Sequence, residues 1–204
     1  AVVLNYITQY AVVFLMPFYL IDILRFDSNL AGFVMAVFPL SMMLVSPVSG
    51  MLSDRIGSRS LSTTGMGLSA LGVFVLSRLG IAESLVPILF ALALVGIGTG
   101  LFVAPNTNVI MGNVPREQSG IASGMVSTMR SMGQALGMAI SGAVLTNRML
   151  FYSVQLRVNG DGNILESLTF ALAQQDAFLV AFGIAVAGMI LSYFYGSVGQ
   201  IKSG

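Results

Sequence analysis

The stretch Gly50-Met51-Leu52-Ser53-Asp54-Arg55-Ile56-Gly57-Ser58-Arg59 gathers three of the chain's charges into six residues, between two apolar runs. A carboxylate at Asp54 suits the exposed amides of a helix N-terminus, where the helix dipole favours negative charge. The Ser119-Gly120 start of a later apolar run is a candidate partner. Gly50 permits close helix approach, and Gly57 suits a backbone position of positive φ. The same charges can simply anchor two helix ends, so the segment reads either as a gating turn or as a charged junction. A second concentration of polar chemistry lies between residues 120 and 146. At 100° per residue, Ser123, Ser127, Arg130, Gly133, Gln134, Gly137 and Ser141 share an arc of about 120°. Ile121, Met125, Met129, Met132 and Leu136 take the opposite side.

Arg130 is the one charge far from any break in apolarity. Inside a membrane it costs at least about 2.5–3.5 kcal/mol unless hydrated or paired. It either braces the bundle through backbone carbonyls or, with Gln134, marks a water-accessible or inter-helix polar position. Near the N-terminus, Asn5, Thr8, Gln9, Met16 and Tyr19 form one stripe that either bonds a neighbouring helix or lines a cavity. Asn106 is a further candidate for a cavity wall. Pro17 interrupts the first apolar run, and Gly96, Gly98, Gly100 and Pro105 interrupt the fourth; paired interruptions in two related triplets point to a midplane site. Pro39 and Pro47 in the second run weaken that argument. Gly120, Gly124, Gly133 and Gly137 are candidates for close helix packing.

The residues that are missing exclude whole classes of chemistry. With no Cys and no His among 204 residues, there is no thiolate nucleophile, no histidine base and no zinc site of the usual ligands. No other metal or cofactor constellation is visible, so an enzyme is not expected. A net charge of +1 gives no basic stripe for nucleic acid. Only 8% of residues are charged and 56% are hydrophobic, far from the roughly 25% charge of a soluble domain. The lipid bilayer is the expected solvent.

Six apolar runs are each long enough to cross about 30 Å of hydrocarbon: residues 1–21, 30–52, 61–79, 85–111, 120–146 and 176–195. The fold class that follows is all-α, a polytopic membrane protein with six transmembrane helices in one bundle. Four connections are short; the fifth, 147–175, reads as a long loop holding the turn cluster Asn159-Gly160-Asp161-Gly162-Asn163. The last span, almost purely apolar from 177 to 191, suits a peripheral, lipid-facing helix. The chain begins at Ala1 inside an apolar run, and it is expected to be a piece of a longer parent. Lys and Arg divide four against four between the two sides, so the positive-inside rule does not orient it. Asp22, Asp27, Glu83 and Asp176 all read as lying at helix ends or in loops, leaving no carboxylate deep in a span.

The turn at residues 50–59 resembles the Gly-x-Leu-[Ala/Ser]-Asp-Arg-x-Gly-x-[Arg/Lys] signature of the major facilitator superfamily, through Gly50, Leu52, Asp54, Arg55, Gly57 and Arg59. That family is built from two six-helix bundles. The fifth span lacks the proline of the Gly-Pro-rich fifth helix found in first halves of its drug antiporters. The run from Gly96 through Pro105-Asn106 to Gly120–Gly124, with the long loop before the last span, is similar to the C-terminal half of the fourteen-helix drug:proton antiporters. The resemblance implies export of drugs or lipophilic and amphipathic metabolites by alternating access, with a small-molecule substrate and protons as partners. It implies an N-terminal six- or eight-helix portion of the same parent chain, a latch at Asp54 and Arg55, and both ends of this segment cytoplasmic in a bacterial inner membrane. It also makes the first span a wall of the central cavity. The coupling carboxylate is then expected outside this segment. A half-transporter that pairs with itself, and a membrane scaffold or receptor that transports nothing, are the alternatives.

Overall fold

Each apolar run becomes a helix, and polar residues set most of the ends. The structure, a computed structural model, describes residues 1–81, 84–156 and 162–195. Helix α1 covers Val2–Phe18 and continues as a π-helical turn over Tyr19–Ile23. The wider turn follows Pro17, which has no N–H to donate, and its signature bond runs from Leu24 N–H to the Tyr19 carbonyl at 3.1 Å. Asp27 caps α2, Ser28–Ile56, by accepting from the Asn29 amide at 3.3 Å. Then come α3, Ser58–Leu76, α4, Leu85–Gly112, a 3₁₀ turn at Arg116–Gln118, α5, Ser119–Leu156, and α6, Gly162–Tyr195. No strand occurs among the described residues.

Packing pairs helices across the two triplets rather than along the chain. Helix α1 lies against α5 and α6, α4 lies against α2 and α3, and the α3–α6 contact joins the two groups. Exchanging α1 with α4, α2 with α5 and α3 with α6 maps this pairing onto itself, as an inverted repeat requires. The core runs from α1 (Ala11, Leu15, Met16) and its π turn (Leu20) through α4 (Ile88, Leu92, Val95) to α6 (Ala173, Ala177, Phe178, Ala181). By length and apolarity α1 with its π turn, α2, α4 and α6 can each cross a membrane. Helices α3 and α5 fall below that apolarity because they carry Ser, Thr and Gly, and in α5 Arg130.

Four expectations need correction. Residues 53–60 are not a loop: α2 runs to Ile56, α3 starts at Ser58, and Gly57 alone joins them. Residues 147–175 are not a long loop either, since α5 continues to Leu156 and α6 begins at Gly162. The polar residues there were the misleading sign, because they satisfy neighbouring helix ends instead of water. Gln174 donates to the Leu15 carbonyl at 3.2 Å and Gln175 to the Leu79 carbonyl at 2.7 Å. Of the turn cluster, residues 159–161 lie outside the described residues. Asp176 is therefore within α6 and not at its end. Helix α4 is continuous through Gly96–Pro105, so its glycines are contact points and not a break. Finally, α6 is not merely lipid-facing, because Ala173, Ala177, Ala181 and Ala185 are buried along one face.

Candidate functional site

The junction between α2 and α3 is the tightest in the molecule. Gly57 takes φ +87° and ψ 141°, a region close to glycine-only, and its amide bonds the Ser53 carbonyl at 3.0 Å. The charges of the motif therefore project from helix ends set by one residue. Arg59 lies over the Tyr193 ring, 4.8 Å from its centroid, which ties the start of α3 to the end of α6. Arg55 is exposed. Asp54 is in the last turn of α2, and its side chain lies outside the described residues. Gly50 meets only the Asn108 side-chain nitrogen, 3.6 Å from where a Cβ would stand. That is ordinary contact; the close approach expected there is made elsewhere.

Helix α5 meets α1 through its small residues. A Cβ on Gly133 would run into the Tyr6 Cβ and the Val3 carbonyl, and one on Gly137 would stand 2.7 Å from the Ile7 carbonyl. Ser141 is buried on the same side. Arg130, one turn before Gly133, is exposed and places its guanidinium 5.6 Å from the centroid of the Tyr6 ring. Among the described residues it makes no ion pair. Gln134 is half-buried beside it. A small apolar cleft next to this contact is lined by Val2, Tyr6, Phe102, Asn106 and Val126, from α1, α4 and α5. Gly120 and Gly124, by contrast, face open space.

The α1 stripe turns inward. Asn5 and Thr8 are each 1% exposed and Tyr19 2%, so these three point into the bundle and line no open space. Asn5 donates to the Met66 sulfur at 3.1 Å, Thr8 to the Leu4 carbonyl at 3.0 Å and Tyr19 to the Gly80 carbonyl at 2.7 Å. The last bond serves a carbonyl beyond the end of α3. Gln9 is only half-buried. Asn106 is likewise half-buried and donates to Ser62 Oγ at 2.8 Å, bridging α4 to α3.

Sequence reasoning missed a polar cluster between α5 and α6. Asp176 Oδ2 accepts from the Tyr152 hydroxyl at 2.9 Å and pairs with Arg148 Nε at 3.2 Å. The Asp176 hydrogen bond holds the Tyr152 phenol above its ordinary pKa, so it remains a donor throughout the neutral range. A four-residue spacing of Arg148 and Tyr152 on one helix face was the available signal. That signal counts only within a helix, and α5 continues to Leu156. Among the described residues no three side chains of metal-ligating type come together.

Comparison with known proteins agrees with this architecture. Residues 1–195 match the family model described as Major Facilitator Superfamily. The chain is 29% identical over 190 residues to the riboflavin transporter RibZ of Clostridioides difficile (strain 630), covering 93% of this chain and 40% of that protein. It is 35% identical over 130 residues to the uncharacterized transporter YebQ of Escherichia coli (strain K12), 64% of this chain and 28% of that one. It is 32% identical over 136 residues to the multidrug resistance protein Stp of Mycobacterium tuberculosis (strain ATCC 25618 / H37Rv), 67% and 25% respectively. The chain thus spans well under half the length of these relatives.

Proposed function

Because the chain belongs to the Major Facilitator Superfamily, we propose that it forms the C-terminal six-helix bundle of a secondary active exporter of drugs or lipophilic metabolites. The bundle works by rocking against a preceding six- or eight-helix portion of the same chain, with both ends of this segment in the bacterial cytoplasm. The observation that carries this reading is Arg130. It stands eleven residues into α5, about 17 Å along the helix axis, and makes no ion pair among the described residues. A guanidinium there, beside the Tyr6 ring and without a counter-charge among the described residues, is best served by water or by a group from outside this segment. A central aqueous path between two bundles supplies both. The names of the relatives, a riboflavin transporter and a multidrug resistance protein, support a planar or amphipathic organic substrate.

In this reading Arg130 and Gln134 are polar residues of the interior, Gln9 and Asn106 line the cavity, and Asp54 and Arg55 form the latch that steadies one gating state. Energy comes from proton antiport, with the coupling carboxylate outside this segment. Asp176 does not take that part, since Arg148 and Tyr152 already hold its carboxylate. Dye efflux from cells lacking their own exporters tests the whole. Asp54→Asn and Arg130→Ala should insert normally and lose most efflux, Arg130→Lys should recover part of it, and Asp176→Asn should keep its dependence on the proton gradient. Normal efflux by well-expressed Asp54→Asn removes the latch, and loss of proton dependence in Asp176→Asn moves the coupling site into this bundle.

A further inference from the structure

The seam between α5 and α6 holds a groove that the transport reading leaves unused. Its volume is about 390 Å³ and it is lined by Ala143, Val144, Asn147, Arg148, Asp176, Leu179 and Val180, within the ~300–1,000 Å³ typical of small-molecule sites. It opens at the surface, since Leu179 and Val180 are exposed while Ala173, Ala177 and Ala181 of the same helix belong to the core. The lining is graded along its length. Asn147, Arg148 and Asp176 lie nearer the α5–α6 connection, and Ala143, Val144, Leu179 and Val180 lie about one turn further from it. The polar end has a level in the bundle, because Gln175, next to Asp176, bonds the Leu79 carbonyl just beyond the end of α3. The chain turns there from α3 into α4, as it does at a membrane surface. Polar groups at that level with apolar walls toward the bilayer centre match the lengthwise grading of a lipid and not that of a water-soluble ligand.

The charges narrow the occupant. Arg148 and Asp176 are one cation and one anion, neutral together, and both remain partly open, with side chains 49% and 24% exposed. The ion pair is made through Nε of the guanidinium, and Arg148 and Tyr152 meet the same carboxylate oxygen, Oδ2. A neutral headgroup carrying separated charges complements such a pair; a net anion gains from Arg148 what it loses to Asp176. We propose that this groove binds one zwitterionic phospholipid from the leaflet on the side of the α5–α6 connection. Its phosphate lies on Arg148, its ammonium lies on Asp176, and an acyl chain runs along Ala143, Val144, Leu179 and Val180. The proposal concerns a site on the outer surface and stands whether or not the bundle exports drugs.

Native mass spectrometry of the delipidated protein, titrated with phosphatidylethanolamine, phosphatidylglycerol or free phosphoethanolamine, tests it. Wild type should retain one phosphatidylethanolamine per chain and hold it about tenfold more tightly than phosphatidylglycerol. Arg148→Gln should lose about the same factor. Ala143→Trp, at an exposed position, should close the apolar end without touching the ion pair and abolish retention, with a melting curve like that of wild type. Val180→Trp closes the same end from α6 and replaces it if Ala143→Trp fails to fold. Equal retention by wild type and the tryptophan variant overturns the proposal. So does an adduct of free phosphoethanolamine, which would mark a bare charge site, or equal affinity for phosphatidylglycerol.

Discussion

Helices α4 and α5 carry glycine at similar density, yet they use it differently. In α4, every glycine from Gly96 to Gly100 faces the backbone of another helix. A Cβ on Gly98 would stand 2.5 Å from the Gly65 carbonyl and the Ser69 amide, one on Gly100 would stand 3.0 Å from the Met42 carbonyl, and one on Gly96 would collide with the Phe38 carbonyl. The partners answer in kind, since Gly65 and Gly72 of α3 meet α4 at 2.6–2.9 Å. In α5 only the middle is like this. Gly133 and Gly137 close on α1, while Gly120 and Gly124 meet nothing within 4 Å. Helix α4 is thus locked on two sides within the bundle, whereas Gly120 and Gly124 in the first third of α5 face open space among the described residues. A face of Ser123, Gly124 and Ser127 is poor at holding lipid but well suited to close approach of another helix. Among the described residues, then, glycine packs α4 against helices on two sides and α5 against α1 alone.

Substitutions can break this contrast. The largest effect is expected at Gly98→Val, which forces a branched side chain between two backbones and should leave little folded protein by size exclusion. Even Gly98→Ala should cost about 1–3 kcal/mol, as overpacking does, and lower the melting temperature. Gly57→Ala comes next, at about 1–3 kcal/mol for a non-glycine residue in that backbone region. Open space surrounds Gly57, so Gly57→Ser should fare no worse. Gly133→Ala should destabilise less than Gly98→Val because it adds one methyl and not a branched side chain, though the Tyr6 Cβ and the Val3 carbonyl that it meets are both fixed by the backbone of α1. Gly124→Ala should leave the melting curve unchanged or raise it slightly, by the ~1 kcal/mol that helix propensity favours alanine. If that face meets a second bundle, the same variant slows efflux while the protein stays folded. The smallest effect is at Tyr152→Phe. Because its hydrogen bond to Asp176 raises the phenol pKa, the advantage of tyrosine is full below about pH 10 and fades as pH climbs through the raised value. Melting curves of the two proteins should therefore converge only in strong alkali.

Much of this was legible in the sequence, and the failures have a common cause. Apolar runs located all six helices, and α4 fell within one residue of its observed bounds. The motif at residues 50–59 pointed to the family, to which the match over residues 1–195 assigns the chain. Polarity, however, is not always a sign of water. Gln174 and Gln175 read as loop residues and Asp176 as a helix end, yet all three sit within α6 and serve the carbonyls of Leu15 and Leu79 and the side chains of Arg148 and Tyr152. For Asn5 and Thr8 the sequence leaves a helix contact and a cavity wall both open, and the structure turns the two residues into the bundle. Periodicity gives the angle of a residue about its own helix; it does not say which neighbour stands at that angle. For the same reason Gly98, Gly124 and Gly133 were indistinguishable until their neighbours were known.

The central claim is that the Arg130 face of α5 borders an aqueous path between two bundles. The segment contains no cysteine, so one introduced thiol in it can be followed against a full-length protein cleared of others. Gln134→Cys and Met132→Cys, on opposite sides of α5, should be treated with a membrane-impermeant maleimide with and without a transported dye. The account predicts that position 134 is labelled at a rate that changes with the dye, while position 132 is not. Equal labelling at both positions, or a rate at 134 indifferent to every transported compound, would contradict it.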